Sequence, residues 1–321
     1  MIKADDCSLD PSALRSVEER ARALLNRAEV WDRFPTPIED ILAAANLRVE
    51  KKCLQDADGF MAYLAGKAAH IATKAAETLS AVKSALTKVF GIYDPGDSII
   101  HIDDTVSGSK QNFLKLHETG HHELPAHRKM FRFFQDCEQT LAPEVADLFE
   151  REANNFARFA LFQGGAFSAM AADCPLLIKT PMKLATKFGA SIYASAREFA
   201  RTNHRDCLVV VLNRAEYING AGMRASVRRI EPSPSFRAKF PIPTDEWITL
   251  DHPLGRLLPR HGQRMVKPTS LAMRDLNGQR QECIAESFDT THNIIILLYP
   301  QKALTTTTVI LPAGFKQAGN F

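Results

Sequence analysis

The stretch HETGHHELPAH at residues 117–127 constrains this chain more than any other, because it joins a helical repeat of histidines to an acidic neighbour. His117 and His121 are four positions apart, so on a helix their rings project from one face, one turn apart. Pro125 cannot continue a helix. The sequence therefore predicts a helix from about 110 to 123 that presents two imidazoles on the same side.

Two imidazoles at this spacing can hold one small cation. Neutral imidazole nitrogens suit zinc, which takes four ligands and in catalytic sites keeps one position for water. Glu118 follows the first histidine, and in the H-E-x-x-H pattern such a carboxylate faces the open position without binding the metal. It can take a proton from the water and deliver it to a leaving amine. The pattern therefore predicts hydrolysis of an amide, whereas the competing interpretation is a surface helix with solvated histidines.

One candidate for the third ligand is His127, six residues after His121. This is the spacing of the extended motif H-E-x-x-H-x-x-G-x-x-H, in which a glycine lets the chain turn back toward the metal. Leu124 occupies the glycine position here and does not adopt positive φ cheaply. Pro125 also ends the helix, so a turn that brings His127 back toward the metal is not excluded. His127 is also a candidate donor to the oxyanion, as are Tyr93, His122 and His204.

The other candidate is Glu150, on a helix predicted to start near Pro143. Glu150 borders a core-facing stripe, and Asn154 lies one turn later on the same side, where it could orient a ligand. Glu152 is predicted to be solvated. The stripe consists of apolar residues at helical spacing: Phe149, Ala153, Phe156 and Ala160. Spacing alone leaves His127 and Glu150 as equal alternatives.

The combination of HETGHHELPAH with EREANNFARFAL, at 150–161, resembles the ImmA/IrrE-type (M78-like) metallopeptidase family. That family has H-E-x-x-H followed by E-x-x-A-N-x-F-A on the next long helix. The resemblance implies a zincin-like domain in which His117, His121 and Glu150 bind Zn²⁺ and Glu118 is the catalytic carboxylate. Asn154, Phe156 and Ala157 match the rest of the second motif.

The resemblance covers roughly residues 10–200, and the chain departs from it in two places. ALFQGG at 160–165 stands where the family usually has a Leu-Met-Pro-like helix end, and the predicted helix over 61–90 enlarges a connection that is commonly shorter. Members of the family commonly cleave repressor-type transcription factors. The resemblance thus implies a zinc endopeptidase whose partner is a repressor or an antitoxin-like protein.

The remaining sequence predicts an α+β protein of three parts: a mainly helical metallopeptidase domain with a small sheet at 1–175, a helix-turn-helix-like segment at 176–204, and a β-rich domain of open role at 205–321. Two short helical patterns separated by Gly189 define the second part. Apolar runs divided by Asn-Gly and Pro-rich turns define the third. Arg197 and Arg201 could contact DNA, but Glu198 lies between them and basic residues are sparse.

Bulk composition excludes several other classes of protein. A net charge of +3 is too small to imply a nucleic-acid partner, and no apolar run is long enough to span a bilayer. The six cysteines include no C-x-x-C pair, and the first ten residues have no apolar core of the kind a signal peptide needs. These features predict a cytoplasmic, reduced setting with no membrane partner. The alternative function is a regulatory DNA- or protein-binding module with a structural metal or none.

Overall fold

The computed structural model describes residues 7–52, 91–94, 97–103, 105–128, 143–218, 222–259 and 262–301. The helix predicted over 61–90 lies outside them. The described helices are α1 (Pro11–Ala28), α2 (Ile38–Ala44), α3 (Gly108–Glu123), α4 (Pro143–Leu161), α5 (Ala166–Ala172), α6 (Lys179–Phe188), α7 (Ile192–Thr202) and α8 (Pro234–Lys239). The strands are β1 (Arg48–Lys52), β2 (Gly91–Asp94), β3 (Ile99–Asp103), β4 (Leu208–Asn213), β5 (Glu216–Ile218), β6 (Gly222–Pro232), β7 (Trp247–Thr249), β8 (Met265–Arg274), β9 (Arg280–Asp289) and β10 (Asn293–Pro300).

The chain forms two compact units. The first runs to Ala169 and includes Lys183–Ser191, and the second comprises Met170–Met182 and the chain from Ile192. Helices and a large antiparallel sheet are both present, which agrees with the predicted α+β class. Within the described ranges, no helix combines the length and apolar character needed to cross a membrane.

The first unit begins with a capped helix. The Asp10 carboxylate accepts hydrogen bonds from the backbone N–H groups of Ser12 and Ala13, and Pro11 occupies the first helical position, where its missing N–H is not needed. The buried face of α1 consists of apolar residues at helical spacing: Val17, Ala21, Leu24 and Leu25. This face packs against α4, so the capped helix supports the helix that carries Glu150.

A three-stranded sheet lies beside α3 in the first unit. Its strand order is β1-β3-β2, with β1 parallel and β2 antiparallel to β3. In the β2–β3 pair, Tyr93 lies opposite Ile100. Ile100 and Ile102 are fully buried and anchor β3 in the core. Because β2 is an edge strand of this sheet and lies next to α3, it places Tyr93 beside the histidine motif.

Helices α3 and α4 meet closely at Gly120. A Cβ atom added at Gly120 would lie 3.1 Å from the Cβ of Phe156 and 3.2 Å from the Cα of Ala153. The backbone of α4 therefore occupies the space that any larger side chain would need. This contact brings the histidine face of α3 to the face of α4 that carries Glu150.

The second unit is built on a seven-stranded antiparallel sheet in the order β5-β6-β4-β10-β9-β8, with β7 also paired to β6. The central strands β4 and β10 are continuous apolar runs and are buried, which explains their hydrophobic sequence. Helix α7 packs against β4 and β6 of the same unit.

The arginines of α7 bind a carboxylate of the sheet. Arg197 is buried and donates to Glu231 Oε1 from Nε (3.0 Å) and Nη2 (2.7 Å), and Arg201 Nη2 donates to the same oxygen at 3.0 Å. Helices α6 and α7 form as the sequence predicts. The two guanidinium groups that could contact DNA are, however, engaged by Glu231.

Replacing Gly120 by alanine tests the close contact of α3 with α4. We expect Gly120→Ala to lower the free energy of unfolding by about 1–3 kcal/mol, because the added methyl group meets backbone atoms that cannot turn away. Gly108→Ala is the matched control on the same helix, since a Cβ at Gly108 would meet nothing within 4 Å. Chemical denaturation of both variants measures the difference, and equal stabilities would contradict the packing described here.

Glu231 is expected to stabilise the second unit in a pH-dependent way. Burial would raise the pKa of its carboxyl group, but Arg201 and Arg197 outweigh burial and hold that pKa below the ordinary 4.5. A depressed folded-state pKa gives stability that is present above pH 4.5 and lost as the pH falls through the folded value. We expect Glu231→Gln to cost about 1–3 kcal/mol at pH 7. In thermal melts from pH 7 to 3, the difference from wild type should shrink below pH 4.5, and a constant difference would refute this assignment.

Candidate metal centre

Three side chains of the first unit converge on one point. The Nε2 atoms of His117 and His121 are 3.2 Å apart. Glu150 Oε2 lies 3.3 Å from His117 Nε2, and its Oε1 lies 3.6 Å from His121 Nε2. One ligand atom from each residue lies within 4.8 Å of the others, so the three could hold a metal ion. The helical spacing of the two histidines and the contact at Gly120 produce this arrangement.

The spacing of these atoms fits a tetrahedral ion. Two ligand atoms about 2.0–2.1 Å from such an ion lie roughly 3.3 Å from each other. The two ring nitrogens, 3.2 Å apart, are close to that separation, and each of them has one oxygen of Glu150 nearby, Oε2 at 3.3 Å from His117 and Oε1 at 3.6 Å from His121. Two imidazoles and one carboxylate also leave a fourth position for another ligand.

Burial and mutual contacts prepare the ligands for a cation. Burial lowers the pKa of His121 to about 4, so this imidazole is neutral at pH 7. Partial desolvation would raise the pKa of Glu150, whose side chain is 53% exposed, but its contacts with the two histidines outweigh this and hold that pKa well below its usual range. Burial lowers the pKa of His117, and the contact with Glu150 reverses this and raises it. The centre thus contains an ionised carboxylate beside imidazole nitrogens, which is a donor set for a divalent metal.

Glu118 is buried next to this triad and is not one of its ligand residues. Burial raises the pKa of its carboxyl group to about 7, and a hydrogen bond from the backbone N–H of Tyr93 acts in the opposite direction. A carboxyl group with a pKa near neutrality can both accept and release a proton. Its position and pKa therefore suit general acid–base chemistry.

Asn154 orients the first histidine. Its Oδ1 lies 3.1 Å from His117 Nδ1, and the amide is buried. With Nδ1–H donating to Asn154, the lone pair of His117 Nε2 points toward Glu150. The contact agrees with the position predicted for Asn154, one turn after Glu150 and beside the proposed ligands.

His127 does not join the triad. It is fully buried, and its Nδ1 lies 3.0 Å from Nδ1 of His121, the nitrogen on the opposite side of that ring from the triad. Its ring stacks on Phe149 at a centroid distance of 4.0 Å. His127 therefore lies behind His121, where it contacts neither Glu150 nor solvent. This position suits neither a third ligand nor a donor to the oxyanion of a substrate.

Glu152 is the residue of the centre that sequence reasoning placed wrongly. It was expected in solvent, but its side chain is only 18% exposed and its Oε2 lies 2.6 Å from Nε2 of His127. A signal for this was present, because Glu152 is three residues after Phe149 and four before Phe156, both in the buried stripe. A carboxylate at that position borders the core.

Tyr93 and His122 form a second polar pair near Glu118. The hydroxyl of Tyr93 lies 2.6 Å from His122 Nδ1, and the two rings meet edge to face. His122 follows Glu118 by four residues on α3, so both lie on the side of the helix that β2 approaches. Of the other candidate donors to an oxyanion, His204 belongs to the second unit and is exposed.

Comparison with known proteins does not place the chain in a family. No family model matches it, and no curated protein does. A Mycobacterium tuberculosis transcriptional regulator of known structure is similar at 11% sequence identity and a TM-score of 0.48, over 92% of this chain and 91% of that one.

Replacing Glu150 by alanine should abolish stoichiometric metal binding, because only two of the three convergent ligands remain. Asp147→Ala is the matched control, one turn earlier on the same helix, where the carboxylate pairs with Arg151 instead. Elemental analysis of the purified proteins measures the metal. Retention of one equivalent by Glu150→Ala would show that Glu150 is not a ligand.

Proposed function

We propose that this protein is a zinc-dependent endopeptidase with a zincin-like catalytic domain at residues 1–175, similar to the ImmA/IrrE-type family. The observation that carries the proposal is the convergence of His117, His121 and Glu150, with Glu118 buried beside them. The two sequence motifs that resemble the family supply these four residues. A buried carboxyl group whose pKa is raised to about 7, next to a set of metal ligands, is typical of catalytic sites.

Zinc is the cation that this donor set favours. Two imidazole nitrogens and one carboxylate oxygen are the protein ligands of many catalytic zinc sites, in which a fourth position serves water or substrate. Calcium and magnesium prefer oxygen donors throughout, so the two histidines disfavour them. When bound, zinc would polarise the carbonyl of a peptide bond and lower the pKa of water to about 7.

Other residues of the protein transfer the proton and orient the metal ligands. Glu118 accepts a proton from the attacking water and delivers it to the amine nitrogen as the peptide bond breaks. A hydrogen bond from the backbone N–H of Tyr93 lowers the pKa of Glu118 and so favours its ionised form. Asn154 keeps the His117 ring in its ligating orientation. Burial of these groups excludes bulk water and strengthens their electrostatic interactions.

The substrate we propose is a protein, a transcriptional repressor or an antitoxin-like partner, cleaved in the cytoplasm. This part of the proposal rests on the resemblance to the ImmA/IrrE-type family. The engagement of Arg197 and Arg201 by Glu231 argues against the alternative of a DNA-binding regulator that would use those arginines.

Glu118→Gln separates metal binding from catalysis. We expect this variant to keep one equivalent of zinc, because Glu118 is not a ligand, and to cleave its substrate about 10²–10⁴-fold more slowly. A panel of purified repressors from the source genome, incubated with zinc-loaded enzyme and analysed by mass spectrometry, identifies the substrate and the cut site. Asp147→Asn, on α4, is the control and should cleave at the wild-type rate. Cleavage by Glu118→Gln at the wild-type rate would refute the mechanism.

A further inference from the structure

Behind the metal centre lies a buried chain of polar groups that the proposed reaction does not use. We propose that His127 and Glu152 are positioning residues, which hold the His121 ring toward the cation and increase the affinity of the centre for zinc. This inference rests on the zinc site of the proposed function and is independent of whether the protein cleaves peptides.

The chain consists of two short contacts that follow each other outward from His121. His121 Nδ1 lies 3.0 Å from His127 Nδ1, and His127 Nε2 lies 2.6 Å from Glu152 Oε2. His127 is fully buried, and the Glu152 side chain is 18% exposed. Both ring nitrogens of His127 are thus used, one toward the metal ligand and the other toward a carboxylate near the surface.

These contacts allow a single arrangement of protons around neutral rings. If Nε2 of His121 offers its lone pair to a cation, its proton is on Nδ1. That Nδ1–H must donate to a lone pair on Nδ1 of His127, so the proton of His127 is on Nε2. The Nε2–H then donates to the Glu152 carboxylate, which only accepts. The carboxylate therefore determines which nitrogen of each histidine carries the proton.

The surrounding structure holds this chain in place. The His127 ring stacks on Phe149, at a centroid distance of 4.0 Å and an interplanar angle of 19°. Phe149, Glu150 and Glu152 all belong to α4, so one helix supplies the third ligand, the stacking partner and the terminal carboxylate. Movement of α4 relative to α3 would disturb the ligand set and the chain together.

The two histidine ligands are consequently supported in different ways. His117 donates to the neutral amide of Asn154, whereas His121 connects through His127 to a carboxylate. A hydrogen bond that leads to a negative charge makes an imidazole more basic and fixes its orientation. Groups of this kind change metal affinity about 10–100-fold when they are removed. We expect His121 to depend on its support more strongly than His117 does.

Glu152→Gln tests the chain with little change in shape. The affinity for Zn²⁺, measured by competition with a chromogenic chelator, should fall about 10–100-fold. Asp147→Asn is the matched control, because it removes a carboxylate of similar exposure, 16%, from the same helix without touching the chain. It should bind zinc as wild type does. Equal affinities of Glu152→Gln and wild type would overturn the proposal.

Variants at His127 give a second measurement that does not depend on the charge of Glu152. His127→Leu fills the space and removes both hydrogen bonds, whereas the amide of His127→Gln can accept from His121 and donate to Glu152. We expect zinc affinity to decrease in the order wild type, His127→Gln, His127→Leu. If His127→Leu does not fold, the zinc affinities of His127→Gln and Glu152→Gln still test the proposal. Identical affinities of the two His127 variants would contradict a hydrogen-bonding role.

Nitrogen-15 NMR of the histidine rings reports directly the protonation of each ring nitrogen. A purely structural role of Glu152 would leave the His127 signals unchanged in the variant. In the wild type, His127 should be protonated on Nε2, and the chemical shift of that nitrogen should change in Glu152→Gln, where a neutral amide replaces the carboxylate. Protonation of His127 on Nδ1 in the zinc-bound wild type would refute the chain. A wild type that binds no zinc would overturn both this inference and the proposed function. Zinc binding that follows the predicted order, without cleavage of any substrate, would support the chain and overturn the peptidase.

Discussion

The centre depends on how closely α3 and α4 can approach each other. Gly120 lies over Ala153 and Phe156, at distances that leave no room for a side chain. This contact lies between His117 and His121 on one helix and next to Glu150 and Asn154 on the other. A larger residue at Gly120 would push the helices apart and shift Glu150 relative to His117 and His121.

Close packing also means that the polar groups of the centre leave water, which is costly unless each finds a partner. The structure meets this cost through hydrogen bonds that join His117, His121 and His127 to one another or to neighbouring polar side chains. Glu118 shows the remaining effect of burial, since its pKa rises to about 7. The same desolvation that makes Glu118 expensive to bury therefore brings its pKa near neutrality.

Much of the local structure could be predicted because it depends on residues close together in the chain. The helical repeat places His117 and His121 on one face, and the same rule places Asn154 one turn beyond Glu150. The buried strands β4 and β10 likewise follow from short apolar runs. Zinc, peptide hydrolysis and the relation to the ImmA/IrrE-type family stay predictions, because they concern ligands and partners that neither the fold nor the comparisons identify.

Spacing alone left His127 and Glu150 as equal candidates for the third ligand, and the path of the chain after Pro125 decided between them. In the fold, His127 turns behind His121 and stacks on Phe149, while Glu150 faces the two histidines. Glu152 was likewise predicted to be solvated, whereas in the fold its carboxylate contacts His127. Local periodicity in the sequence thus determines which side chains share a helix face. Only the packing of α4 against α3 determines which of those faces meet, because that contact joins residues about thirty positions apart and depends on the space left at Gly120.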